Sequence, residues 1–179
     1  MKINMVCGKF RSSAHALLVL EAMISKGIEF NVPVWIVSID LRKAFDRVEH
    51  GALFQALRDQ NMDPELVALL EMLYQKQIGI VDEHMFPINR GVRQGDVLSP
   101  VLFNAVLEHA MNEWKKQLVL EGFAISEDPC KPRLTNIRYA DDILLFAQSL
   151  DESIYLLESL AKVFRKYGLE MNLSKTKKH

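Results

Sequence analysis

The chain alternates between stretches with a helical apolar period and short runs rich in branched and aromatic residues. Residues 13–27 set Ala14, Leu17, Leu18, Leu20, Ala22 and Ile24 in a helical pattern that Gly27 closes. Pro33–Leu41 is rich in Val, Ile and Trp, which predicts a buried strand with Asp40 at its end. A helix is expected from about Arg47 to Gln60. Asp63-Pro64, a cap followed by a first-turn proline, starts another to about Gln77. Residues 78–92 read as a hairpin turning at Asp82-Glu83-His84. Ser99-Pro100 opens a helix to about Leu120. Lys131–Arg138 and Ile143–Ala147 form a second hairpin. A helix capped by Ser149 or Asp151 runs to Tyr167 and ends at Gly168, and Leu169–Leu173 suggests a last strand. Strands and helices interleave without a strict βαβ repeat, so the pattern predicts an α+β fold with an antiparallel sheet.

Between the strands of the second hairpin lies Tyr139-Ala140-Asp141-Asp142. Two adjacent carboxylates in such apolar surroundings repel each other and lose solvation. A divalent cation relieves both costs, so the pair is a candidate metal site. Asp40, ending its own strand, supplies a third carboxylate if the two strands lie side by side. Two Mg²⁺ ions about 3.5–4 Å apart, bridged by carboxylates, can clamp the attacking and leaving oxygens of a phosphoryl displacement. Taken alone, the Asp40 segment and the Asp141-Asp142 pair each read more readily as turn acids or helix caps. A third segment, Arg90-Gly91-Val92-Arg93-Gln94-Gly95-Asp96-Val97-Leu98-Ser99-Pro100, adds glycines that permit close backbone approach, an amide and a cationic fork for phosphate. A helix cap accounts for Ser99-Pro100 but not for Arg93-Gln94-Gly95.

Composition narrows the class only slightly. The chain has 179 residues, 49% hydrophobic and 25% charged, and a net charge of −1. That is enough to bury a core, and the charge does not itself announce a nucleic-acid binder. Basic residues are uneven: positions 162–179 hold six Lys or Arg against the single acid Glu170, and Arg42, Lys43 and Arg47 cluster near Asp40. Taken singly, such clusters are ordinary solvated faces. Apolar runs fall short of the ~18 residues that span a bilayer, so no membrane partner is expected. Cys7 and Cys130 make no zinc spacing and point weakly to a reducing compartment.

Four segments, in order, resemble the palm motifs of reverse transcriptases, most closely the non-LTR retrotransposon type, with group II intron enzymes next. They are Ile39-Asp40-Leu41-Arg42-Lys43-Ala44-Phe45-Asp46-Arg47-Val48, Arg93–Pro100, Tyr139-Ala140-Asp141-Asp142, and Gly168-Leu169-Glu170-Met171-Asn172-Leu173-Ser174-Lys175-Thr176-Lys177. The resemblance implies a polymerase palm, an antiparallel sheet with a ferredoxin-like core packed on helices. A partial, helix-rich fingers region accompanies it, and no thumb is expected. Within one domain spanning 1–179, residues 1–31 and 49–92 are expected as fingers, and 32–48 with 93–179 as palm.

The resemblance also implies roles. Asp40 and Asp141 are the implied ligands of two Mg²⁺ ions, or of Mn²⁺ as a substitute; Asp142 helps at the metal site less directly, and the backbone carbonyl of Leu41 also faces a metal. Phe45 occupies the sugar-gate position, where a bulky ring leaves no room for a 2′-hydroxyl and selects dNTPs. Without the motif, Phe45 reads as a core aromatic. Arg93, Gln94 and Gly95 line the nucleotide and template pocket. Lys175 serves the pyrophosphate leaving group as acid or charge. Tyr139 meets the primer or fills the core, and Arg11 contacts phosphate. The implied partners are an RNA or DNA template with primer, dNTPs and the remaining segments of a polyprotein. Two other readings stand beside this one: a truncated, inactive retroelement remnant, and a non-catalytic RNA-binding or interaction module on a palm fold.

Overall fold

The computed structural model describes residues 13–93, 95–125, 133–139, 142–172 and 177–178. These fall into two compact units. One comprises the described residues within 1–42, 114–162 and 171–179, the other those within 43–113 and 163–170.

The first unit is built on a four-stranded sheet. Strand β1 is Trp35–Ile39, β4 is Asn136–Tyr139, β5 is Asp142–Ala147 and β6 is Lys177–Lys178. Their order across the sheet is β4-β5-β1-β6, and every described pairing is antiparallel. Branched and aromatic residues supply the strands, as expected for a pleated, half-buried surface. Val37, Ile39, Ile143 and Leu145 are almost wholly buried on one face. The other face carries Ile36, Leu144 and Phe146. Helix α1, Ser13–Glu29, joins that face through Met23, and Phe123 and Ile137 complete the cluster.

Trp114 begins the part of helix α5 (Ser99–Lys116) that belongs to this unit, and its indole N–H donates to the Ser159 hydroxyl at 2.9 Å. Ser159 lies on helix α6, Leu150–Lys166. That helix begins as the sequence predicts: the Ser149 hydroxyl accepts from the Glu152 N–H at 3.1 Å.

The second unit holds helices α2 (Ala44–Arg47), α3 (His50–Asp59) and α4 (Pro64–Gln75), and the hairpin β2 (Ile78–Val81) with β3 (His84–Pro87). Asp63 caps α4 by accepting from the Glu65 N–H at 2.8 Å, with Pro64 at the first helical position. Tyr74 stands edge-on to His50, ring centroids 5.0 Å apart, and to Phe54 at 6.0 Å. Burial pushes its hydroxyl above the ordinary range.

Three expectations are corrected. The helix read as 47–60 is two helices, because Val48 and Glu49 are extended and are held by the segment at residues 90–91. Gly91 N–H donates to the Val48 carbonyl at 2.8 Å, and Glu49 bridges Arg90. Helix α5 stops at Lys116 rather than 120. Of the strand expected at Leu169–Leu173, the described residues 169–172 form none: Met171 makes a single bridge to Leu41, and the strand at that edge is β6. Among the described residues, no helix is long and apolar enough to cross a membrane.

A small polar network closes the end of α6 within the second unit. The Tyr167 hydroxyl donates to Glu113 Oε2 at 2.6 Å, and Lys166 Nζ pairs with Glu113 Oε1. The Lys166 ammonium, then the Tyr167 hydroxyl, hold Glu113 below its ordinary value. Burial and then Glu113 push Tyr167 upward. A depressed carboxylate contributes stability above its unfolded pKa and loses it as pH falls through the folded one. Tyr167→Phe, which removes the donor, is therefore expected to cost about 1–2 kcal/mol at neutral pH. Urea unfolding of both proteins from pH 7 to 3 checks this, and the gap should narrow as pH falls below the ordinary glutamate value and Glu113 protonates.

Candidate active site

Strand register brings two of the three candidate carboxylates to one end of the sheet in the first unit. Ile39 lies opposite Ile143, so the next step along β1 and back along β5 sets Asp40 level with Asp142. Side chains level across antiparallel strands share a face. Here it is the face opposite buried Ile39 and Ile143. Asp40 is half-buried and Asp142 exposed. Asp142 is the first residue of β5 and pairs with Tyr139 at the end of β4. That fixes Tyr139 at the same sheet end.

Asn172 is a neighbour of Asp40 that the sequence did not single out. Its backbone N–H donates to the Asp40 carbonyl at 2.8 Å, and its side-chain amide donates to Asp40 Oδ2 at 3.0 Å. The first of these bonds makes Leu41 and Met171 a non-hydrogen-bonded pair. The Leu41 carbonyl is thereby directed away from Met171. The one sequence signal for Asn172 is an amide standing between the apolar residues Met171 and Leu173.

The oxygen donors at this sheet end, Asp40, Asp142 and the Leu41 carbonyl, fit a hard cation such as Mg²⁺, which favours carboxylates and shares its remaining positions with water or phosphate. Among the described residues, no cluster of three or more His, Cys, Asp or Glu gathers to hold a metal. Asp141, the third carboxylate of the sequence reading, lies outside the described residues, as do Arg11, Gln94 and Lys175.

In the second unit, Phe45 is half-buried and stacks on the buried ring of Phe103, centroids 4.6 Å apart and planes 28° from parallel. Its carbonyl accepts from the Val92 N–H at 2.7 Å, which ties it to the segment leading to Arg93. That segment is itself latched. The buried Ser99 hydroxyl donates to the Arg93 carbonyl, and the Asp96 carboxylate accepts from the Leu98 N–H at 3.0 Å. Arg93 and Gly95 are exposed. Gly95 has φ +86° with open space where a Cβ would stand, as suits a backbone that a ligand approaches.

Gly91 has a different reason to be glycine. At φ +87°, its Cβ would meet the Asp46 carbonyl oxygen at 2.8 Å. Its close approach is to its own chain, not to a ligand. The basic clusters are partly neutralised as well: Arg47 pairs with Glu170, and Arg90 with Glu49 at 2.9 Å. Both pairs are exposed and contribute little to stability.

Residues 22–179 match the family described as reverse transcriptase (RNA-dependent DNA polymerase), and the chain belongs to that family. It is 34% identical over 158 residues to a retrovirus-related Pol polyprotein from the type-1 retrotransposable element R2 of Popillia japonica. That alignment covers 84% of this chain and 24% of the relative. The corresponding polyprotein of element R2DM from Drosophila melanogaster is 28% identical over 148 residues, 79% of this chain and 13% of that protein. The chain thus spans a quarter or less of the length of these curated relatives. The fold is similar to that of Candida albicans telomerase, with a TM-score of 0.71 and 17% identity over 94% of this chain and 30% of that one. The retrotransposon assignment made from the four motifs is borne out by these relatives.

Proposed function

We propose that this chain is the fingers and palm core of an RNA-directed DNA polymerase, acting within a retrotransposon polyprotein. It adds dNTPs to a primer 3′-hydroxyl as a template directs. Residues 32–48 and 93–179 would form the palm, and 1–31 with 49–92 part of the fingers. The observation that carries this reading is the level placement of Asp40 and Asp142 at one end of the sheet. The strand order β4-β5-β1-β6, with α2–α5 and the β2–β3 hairpin between β1 and β4 and α6 between β5 and β6, supports a ferredoxin-like palm that carries an insertion.

In the proposed reaction the primer oxygen bonds to the α-phosphorus as the bond to pyrophosphate breaks. Two Mg²⁺ ions would supply acidification of the primer hydroxyl and neutralisation of the triphosphate. Asp40, Asp142 and Asp141 would hold them, with the Leu41 carbonyl as a further ligand. Phe45 would bar a 2′-hydroxyl, and Arg93 would pair with phosphate beside Gln94 and Gly95. Tyr139 would meet the primer end, Arg11 the triphosphate and Lys175 the departing pyrophosphate. Rate enhancement would come mainly from positioning and fixed charge.

The test is extension of a DNA primer on an RNA template by the 179-residue chain. Synthesis is expected with Mg²⁺ or Mn²⁺ and should stop on addition of EDTA. Binding of template–primer with no extension in either metal would instead favour a non-catalytic nucleic-acid-binding module.

A further inference from the structure

We infer that Asn172 is a positioning residue that orients Asp40 for the cation, an inference that rests on the metal reading above. Asn172 holds Asp40 at two points. The backbone bond, 2.8 Å from the Asn172 N–H to the Asp40 carbonyl, fixes the main chain just past the end of β1. The side-chain bond, 3.0 Å from Nδ2 to Asp40 Oδ2, selects one orientation of the carboxylate. A carboxylate that takes a metal gives up rotamer freedom. Ordering it beforehand removes part of that cost, which is why hydrogen-bond partners of metal-binding carboxylates govern affinity.

The residue type fits the task. An amide donates to the carboxylate without bringing a positive charge that would oppose the cation, as an arginine or lysine would. Its side chain is short, and the same residue's backbone is already pinned to the same partner. Asn172 is itself half-buried, which limits competition from water for the bond.

A purely structural role, closing the sheet edge beside the Leu41–Met171 bridge, predicts something different. It would lower stability and leave metal affinity unchanged. The experiment is titration of the full chain with Mn²⁺ in the absence of nucleic acid, reading free Mn²⁺ by electron paramagnetic resonance, with thermal unfolding alongside. Asn172→Leu keeps the heavy-atom branching and removes the donor. It is expected to weaken Mn²⁺ binding roughly tenfold. Asn172→Ala, which retains the backbone bond, takes its place if leucine prevents folding. Asp40→Asn, as the reference, should abolish the tighter phase of binding. Wild-type affinity in a folded Asn172 variant overturns the positioning role, whatever its melting temperature. Equal Mn²⁺ binding by wild type and Asp40→Asn overturns the metal reading itself, and this inference with it.

Discussion

Asp40→Asn is expected to reduce dNTP incorporation by on the order of a thousandfold, equivalent to about 4 kcal/mol of transition-state stabilisation. The substitution changes one atom and retains the shape of the side chain, so the loss can be assigned to chemistry. Asparagine can still accept from the Asn172 amide, the bond that Asp40 Oδ2 now receives. Doing so sends its own amide nitrogen to the place of the other carboxylate oxygen. An amide N–H₂ is a donor and cannot ligate a cation. The variant thus presents the wrong group as well as one charge fewer. The backbone bond from Asn172 to the Asp40 carbonyl is untouched, and the melting temperature should shift little. Single-turnover primer extension at saturating Mg²⁺ measures the effect. A variant extending primers at the wild-type rate would remove Asp40 from the site.

The end of β1 was legible because an apolar run with a single terminal acid has few structural uses. The partner strand was legible for the same reason, and the register of Ile39 with Ile143 sets Asp40 level with Asp142 at one end of the sheet. What escaped was set by contacts distant in the chain. Val48 and Glu49 interrupt an otherwise helical pattern because residues 90–91 supply them with backbone partners. Nothing within ten residues of Val48 announces that pairing, and tertiary bonds overrode local propensity. The chain also turns between Asp40 and Phe45 through Lys43 at φ +48°, a conformation lysine seldom adopts and no propensity scale signals. Leu169–Leu173 has strand composition, yet among its described residues only Met171 bridges and Asn172 bonds Asp40. Asn172 escaped because its role is defined by a residue 132 positions away. Gly91 was misjudged for a related reason: its tight neighbour, Asp46, is remote in sequence and near in space.

Phe45→Val should relax sugar selection. The ratio of kcat/KM for a dNTP over its rNTP is expected to fall by about 10–100-fold, the discrimination that steric exclusion of a single small group can supply. The argument starts from how firmly Phe45 is held. Its ring stacks on Phe103, 1% exposed, at a centroid distance of 4.6 Å. The main chain is tied to Val92 by a 2.7 Å bond. A ring fixed at both levels can exclude a hydroxyl, whereas one free to rotate would yield to it. Valine leaves the Val92 bond in place and withdraws the ring, so the backbone should hold while space opens. Lost stacking and burial should cost about 1–3 kcal/mol of stability. That cost would lower dNTP and rNTP use alike and cancel in the ratio. The ratio therefore separates a gate from a core aromatic: a core residue would change stability and leave discrimination at the wild-type value. Steady-state incorporation of dCTP and CTP opposite the same template base gives the answer. Unchanged discrimination in a folded variant would return Phe45 to the core and leave dNTP selection to another residue.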